Sequence, residues 1–396
     1  MSDRLQLASK HSFGRQTRRK CPLRSPSFDG WFLCPGVDRL PPMAILTEPI
    51  GSIPRPAELL RAIEAHTAGK VSSEALEKAF DDAVRDTVLR FEVTGSPIIT
   101  DGEQRKSSFA TYPLEGLNNL APDGVVIPFK DGHTRQLPRL KQGPFRYGKY
   151  AGEYVRRTLP VANRPLKQAV ISASALSLLY PADGIEGYRR EQFIEDLIAE
   201  AVADITSALN AGAECVQIDF TEGRLSLKLD PSGGLLKSFV DLNNQVLNRF
   251  SNSERERIGV HVCPGGDHDS THSADVDYAG FLPDLFAMNA GRFYLQLASE
   301  ADRPRVLRRI AELLGDKQRV FVGVVDPISP EIETPEQVRE RVMEAASFLP
   351  PDRLGTTDDC GFSPFADDVS TARDVAFAKI SARVEGTAMA AAQLGV

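Results

Sequence analysis

Cysteine is scarce in this chain: five residues in 396, too scattered to form the framework of a disulfide-stapled domain, which points to a reducing compartment. Long apolar runs are missing as well. No stretch approaches the roughly 18 residues needed to span a bilayer, which argues against a membrane-embedded function. Nor is one sign of charge in large excess. A net charge of −7 gives no reason to expect nucleic acid or an anionic membrane surface as partner. Tryptophan occurs once, at Trp31. What the chain does have is 42% hydrophobic and 26% charged residues, the mixture of a soluble globular protein with a sizeable core. A cytoplasmic location is the expectation.

The first 42 residues differ from the rest. Between Arg4 and Ser27 there are seven basic residues, no acidic ones and little periodicity. The run Arg15 to Lys20 fits a transit peptide or a nuclear signal. A disordered extension is the plainer expectation, because "MAILTEPIGSIPRP" from Met43 reads like a natural beginning. Residues 1–42 are therefore set apart, with Cys21, Trp31 and Cys34 in them, and residues 43–396 are expected to form a single domain.

From Met43 onward, short apolar runs alternate with longer amphipathic ones. Strands are expected at Ala44–Ile50, Ile98–Asp101, Ala169–Ser172, Cys215–Asp219, Ile258–Val262, Arg292–Leu297, Val320–Val325 and Leu354–Thr357. Helices are expected between most of them, at Ser73–Val93, Arg189–Ala211, Leu235–Phe250, Ala301–Leu314 and Thr334–Ser347, with a last one over Phe365–Leu394. Eight strands interleaved with helices imply an α/β fold, a (β/α)8 TIM barrel. The stretch "VVIPFKDGHTRQLPRL" breaks the repeat: two extended runs flank an Asp-Gly turn, so a β-hairpin is inserted after strand two.

Such barrels keep their chemistry at the C-terminal ends of the strands. Polar residues do cluster there: Asp101 and Glu103 after strand two, Asp219 after four, His261 and Cys263 after five, Asp326 after seven, and Cys360 after eight. His261 and Cys263 are two apart on extended chain and so share a face. With Cys360 they make a soft three-ligand set suited to Zn2+ with an open position. The competing reading is a polar loop with ordinary buried cysteines. His268 and His272 could both ligate only if residues 267–273 were helical, so exposed or substrate-lining roles are expected. Cys215 lies at the wrong end of its strand and reads as core. An electron-rich site of this kind suits binding a thiol as thiolate for alkylation, although zinc hydrolases also use open sites.

The ordered series "PIGSIPRP", "TDGEQRKSSF", "CVQIDF", "HVC", "VGVVDPISP" and "DDCGF" resembles the catalytic C-terminal barrel of the cobalamin-independent methionine synthase superfamily, from Met43 to the C-terminus. The resemblance implies zinc on His261, Cys263 and Cys360, and methylation of a homocysteine-like thiol by a small-molecule methyl donor such as a methyl-folate. It implies that Glu103 and Asp219 hold the substrate ammonium, and that backbone N–H groups at Ile50 and Ser52 receive its carboxylate. Three departures stand out. Gln296 occupies the position of the family's zinc glutamate, leaving the fourth ligand to an exogenous group or Glu300. Ile328 replaces the catalytic histidine, with Asp326 as the candidate catalytic substitute. The folate-pocket tryptophan has no counterpart, and Tyr180 is the candidate stacking surface.

Two other functions stay open at this level. One is zinc-dependent alkylation of a different thiol, as in epoxyalkane:coenzyme M transferase, where a sulfonate would need Arg55, Arg105, Lys106 or Arg224. The other is a barrel that has lost catalysis and serves as a binding protein. A decarboxylase like uroporphyrinogen decarboxylase would leave the three soft ligands unexplained. No signal for oligomeric state is present.

Overall fold

The computed structural model describes residues 45–396; the basic segment before Met43 lies outside these residues. Seven strands form one all-parallel sheet: β1 (Leu46–Thr47), β2 (Lys167–Ile171), β3 (Cys215–Asp219), β4 (Ile258–Val262), β5 (Arg292–Leu295), β6 (Arg319–Val325) and β7 (Leu354–Asp358). Their order across the sheet is β1-β7-β6-β5-β4-β3-β2, so each strand after β1 lies beside the next one in the chain. The sheet curls, and its two edges approach the same segment. Ile99 makes a parallel bridge to Leu166 beside β2. On the other side the Ile53 amide donates to the Gly102 carbonyl at 3.0 Å, and Thr100 Oγ1 donates to the Gly51 carbonyl at 2.9 Å. The expected strand Ile98–Asp101 is thus a single bridge, because its hydrogen bonds are divided between main chain and side chains.

The covering helices are α1 (Ala57–Thr67), α2 (Ser73–Val93), α3 (Arg190–Ala211), α4 (Glu222–Leu229), α5 (Gly234–Leu247), α6 (Tyr278–Phe286), α7 (Arg303–Leu313), α8 (Pro335–Ala346) and α9 (Arg373–Leu394), with a further helix at Ala151–Thr158 in the insertion and shorter helical turns between. Ser72 caps α2 through the Ala75 amide, and a Thr334/Gln337 capping box starts α8. In α2, Val84, Val88 and Phe91 recur at helical spacing and are buried. The last helix starts later than Phe365. Residues 363–368 are held as a loop instead: Arg55 Nη1 donates to the Ser363 carbonyl at 2.5 Å, and Ser363 Oγ donates to the Asp368 carbonyl at 2.9 Å.

Strand alternation divides the core in two. In β4, Ile258, Val260 and Val262 join the large cluster between sheet and helices. His261 and Gly259 take the other face. A Cβ on Gly259 would meet the Tyr294 ring at 2.4 Å, so glycine makes room there. On this inner face Tyr294 stacks on Phe321 with ring centroids 4.7 Å apart, and Ile50 completes the cluster. Below them Glu48 accepts from Arg292 at 2.7 Å and from Tyr294 at 2.6 Å. Cys215 lies in this lower layer, fully buried, its thiol pushed up to about 12 by burial and by Glu48. It is core, as expected from its place at the start of its strand.

The segment after residue 101 forms the expected insertion. Val126–Pro128 pairs antiparallel with Thr134–Gln136, and Leu120–Ala121 pairs with Arg139–Leu140. A second short hairpin, Gly266–Asp267 with Ser270–Thr271, rules out a helix over 267–273. His268 and His272 therefore do not share a helical face.

Gly102 carries the chain into the site at φ +63°, and a Cβ there would lie 2.6 Å from Thr87 Cγ2. Gly102→Ala is expected to destabilise the protein by about 3 kcal/mol, from left-handed strain plus overpacking. A thermal melt checks this, and an unchanged Tm would mean that the turn relaxes freely.

Candidate active site

The C-terminal ends of the strands open into a cavity of about 590 Å3. Register builds its floor: Asp219 on β3 lies opposite His261 on β4 and also opposite Ile171 on β2. Ile50, Ser52, Glu103, Asp219, His261 and Cys360 all line it. Asp326 does not. Its carboxylate, the candidate substitute for the family's histidine, accepts from the Ile328 amide of its own turn at 3.0 Å. Tyr180 is also outside the lining; its hydroxyl donates to the Tyr188 carbonyl at 2.7 Å.

His261, Cys263 and Cys360 bring their ligand atoms within 4.8 Å of one another. His261 Nδ1 faces the Tyr294 carbonyl at 3.2 Å, which assigns the ring proton to Nδ1 and leaves Nε2 as a lone pair. Nε2 is buried and has no protein partner. The two sulfurs are 3.1 Å apart, well beyond a disulfide bond, and both are free thiols. Contact with the Cys263 sulfur, with burial added, pushes the Cys360 thiol well above its ordinary range. An orphaned imidazole nitrogen facing two crowded sulfurs is what a soft cation resolves, so these residues fit a metal ion.

A second group, Asp267, His268 and Asp368, also has converging ligand atoms. Asp267 is already satisfied: Arg135 donates to it from Nε at 2.5 Å and Nη2 at 3.0 Å. It belongs to a clamp instead. The same guanidinium reaches Asp367 at 2.9 and 3.0 Å and lies 4.0 Å from the Phe365 ring centroid. The Lys130 amide donates to the Thr271 carbonyl at 3.0 Å, joining the two hairpins. Ile127, Phe129 and Leu137 thereby roof the cavity. His272 lines it too, neutral, its pKa lowered to about 4 by burial and by Lys228 and Arg224.

The carboxylates are unequal. Glu103 sits at φ +56°, its amide bound to Asp101 Oδ1 at 2.9 Å, and its Oε1 pairs with the buried Lys106 ammonium at 2.9 Å. Burial lowers the Lys106 pKa, but Glu103 and Asp101 outweigh it and leave it above its ordinary value. Glu103 is thus neutralised locally. Asp219 accepts from Gln217 at 2.7 Å, and burial pushes it up to about 6, against the pull of His261. At neutral pH it is the net negative charge of the floor. The Ile50 amide already donates to Asp358 Oδ2 at 3.3 Å, and Ser52 Oγ accepts from the Ser363 amide at 3.1 Å.

The four basic residues considered for a sulfonate are engaged elsewhere. Arg55 holds the Glu103 and Lys106 carbonyls at 2.8 and 2.9 Å, Arg105 binds Asp81 at 2.8 Å, and Lys106 binds Glu103. Arg224 donates to Gln296 Oε1 at 2.7 Å and Gln296 Nε2 donates to Ser299 Oγ at 2.8 Å, so both ends of this amide are engaged. Asp359 sets the neighbouring loop by accepting the Leu297, Ala298 and Ser299 amides at 2.7–2.8 Å.

Sequence reasoning did not find Arg135 or Glu222. Glu222 opens α4, one turn beyond Asp219, and lines the cavity with only 5% exposure. Burial pushes its carboxyl up to about 7, against hydrogen bonds from Ser172 and Ser174. The signal was present only as a carboxylate shortly after a strand end.

A family model for the cobalamin-independent synthase catalytic domain matches residues 176–376, just over half of the chain. The chain is 24% identical to a methionine synthase of Sulfurisphaera tokodaii over 352 residues, covering 89% of this chain and 93% of the relative. It is also 24% identical to one of Saccharolobus solfataricus, covering 86% and 93%. A B12-independent methionine synthase from a Shewanella species, solved with selenomethionine, shares the fold at TM-score 0.68 and 20% identity, covering 88% of this chain and 98% of that one. A putative vitamin-B12-independent methionine synthase from Listeria monocytogenes gives 0.66 at 20% identity, covering 87% and 98%. The matched model, the length of the alignments and the shared fold make this chain a member of the cobalamin-independent methionine synthase catalytic-domain family.

Proposed function

We propose that the chain is a thiol methyltransferase that holds Zn2+ on His261, Cys263 and Cys360 and methylates homocysteine or a close amino-acid thiol. The observation that carries this reading is the orphaned His261 Nε2 against two crowded sulfurs, with His261 and Cys360 in the same cavity wall as Asp219. Zinc, when bound, holds the acceptor sulfur as a nucleophilic thiolate. The protein supplies the rest. Asp219 pairs with the substrate ammonium, because Glu103 is already matched by Lys106. The main chain at Ile50 and Ser52 borders the end of the cavity that would take the carboxylate. The hairpin roof excludes water from the reacting atoms. We also read the 98–102 segment as the eighth stave, closing the sheet into a (β/α)8 barrel over residues 43–396. The methionine synthase relatives, aligned over most of their length, support the acceptor class.

The test is zinc content of the purified protein, with X-ray absorption at the zinc edge before and after homocysteine. About one zinc per chain that gains a sulfur neighbour supports the reading. Zinc without a new sulfur discards the acceptor, and no zinc discards the site. Asp219→Asn separates the acceptor from the metal. It is expected to keep zinc and to raise KM for homocysteine about tenfold or more, the loss of one charged hydrogen bond, with kcat within a few-fold. An unaltered KM removes the amino-acid assignment.

A further inference from the structure

Glu222 is held in an unusual way. Its Oε1 accepts from Ser172 Oγ at 2.5 Å and also from Ser174 Oγ. Each hydroxyl has a single hydrogen, and Glu222 is its nearest acceptor; Ser174 Oγ also lies 3.3 Å from Ser172 Oγ. Ser172 Oγ itself accepts from the Ala175 amide at 3.0 Å, and Ser174 Oγ accepts from Asn243 Nδ2 at 2.6 Å. Oε1 is therefore saturated, while Oε2 is buried and has no partner. A bare anionic oxygen there would carry the full desolvation cost, whereas a proton on Oε2 removes it. Asp219 is the titratable group that faces this carboxyl; the serines and Asn243 around it are neutral.

The surroundings point the same way. Phe109, Ile127, Phe129, Leu178 and Phe365 make much of the cavity wall apolar. Its one arginine, Arg135, is matched by two carboxylates. Such a wall takes an uncharged ligand body. Asp326 is not in the wall, so it leaves the acid's role to another residue.

Resting on the methyltransferase reading above, we propose that Glu222 is its catalytic acid, giving its Oε2 proton to the nitrogen from which an N-methyl donor loses its methyl group. The acceptor thiolate attacks the methyl carbon. The S–C bond forms as the C–N bond breaks, and the C–N electron pair stays on nitrogen. That nitrogen takes the proton from Glu222, giving a thioether, an N–H amine and a carboxylate stabilised by Ser172 and Ser174. Water then reprotonates the carboxylate. A donor whose leaving group is iodide or a cobalt centre needs no proton and would gain nothing from Glu222.

The experiment compares wild type and Glu222→Gln, both zinc-loaded, with homocysteine as acceptor and three donors: 5-methyltetrahydrofolate, methylcobalamin and methyl iodide. Glutamine keeps an oxygen for the two serines, so zinc content and Tm check that the fold is intact. Wild type is expected to use the N-methyl donor, and the variant to lose at least a hundredfold with it, within the span typical of a general acid. The methyl iodide rate should fall less than threefold. Equal loss with all donors would make Glu222 structural and overturn the proposal. So would an unchanged N-methyl rate, or wild-type turnover with methylcobalamin but not with the N-methyl donor. No methylation from any donor, methyl iodide included, overturns the methyltransferase reading and this inference with it.

Discussion

Replacing Cys263 or Cys360 with serine is expected to lower zinc occupancy from about one per chain to near zero and to cut thiol methylation at least a thousandfold. A serine hydroxyl is not deprotonated near neutral pH and is a poor ligand for a borderline-soft ion. Losing one of three protein ligands should exceed the roughly 10- to 100-fold loss typical of changes outside the first coordination shell. The structure supplies the reason that neither cysteine can cover for the other. They come from the ends of different strands, one after β4 and one after β7, and their sulfurs meet at 3.1 Å. The variants should fold, since serine fits the space of cysteine. Added zinc should raise the Tm of the wild type, because a ligand held a thousandfold above its Kd contributes about 4 kcal/mol. The same zinc should leave the variants unmoved. Elemental analysis and paired melts measure both effects. Zinc and turnover retained in both variants would return the "HVC" segment to an ordinary polar strand end.

The second large effect is expected at Arg135. Its guanidinium joins the inserted hairpin to Asp267, whose side chain is 0% exposed, and to the more exposed Asp367. Arg135→Ala leaves Asp267 with His133 Nε2 at 3.1 Å and, further off, His268 Nε2 at 3.9 Å. Breaking a buried pair from one side costs about 3–5 kcal/mol, and His133 should bring this to the low end. The cost falls on the roof, so Ile127, Phe129 and Leu137 should detach from the cavity while the sheet stays folded. Protease cleavage within residues 120–142 is expected, together with a KM increase of about tenfold or more and unchanged zinc content. Arg135→Lys keeps the charge but not the two-sided fork, so it should fall between the two. Intact protection and an unmoved KM would show that the hairpin is held by its apolar face alone.

Much of the architecture was legible in the chain. Helix α2 and strands β3 and β4 have the bounds expected from periodicity, because a strongly amphipathic run and a β-branched run each have one low-energy solution. The ends were less legible. The expected strand over Ile98–Asp101 is a single bridge at Ile99, and the last helix begins at Arg373 because Arg55, 308 residues away from Ser363, holds the loop before it. Signals of that kind do not lie within a local window.

The site divides along the same line. Residue type and strand-end position were enough to bring forward His261, Cys263, Cys360, Glu103 and Asp219, all but Cys263 lining the cavity. Ligand chemistry is a property of the side chain itself, and the alternation of a strand sets its face. What only the tertiary structure decided is which charges are free. Lys106 cancels Glu103, Arg135 cancels Asp267, Arg224 takes Gln296, and Asp326 turns to its own loop. Glu222 is singled out because two serines fix one of its oxygens, one of them held in turn by Asn243 from a separate helix. A carboxylate's protonation and availability depend on partners and burial rather than on its neighbours in the chain, so the sequence determined which groups could do chemistry and the fold decided which of them are left to do it.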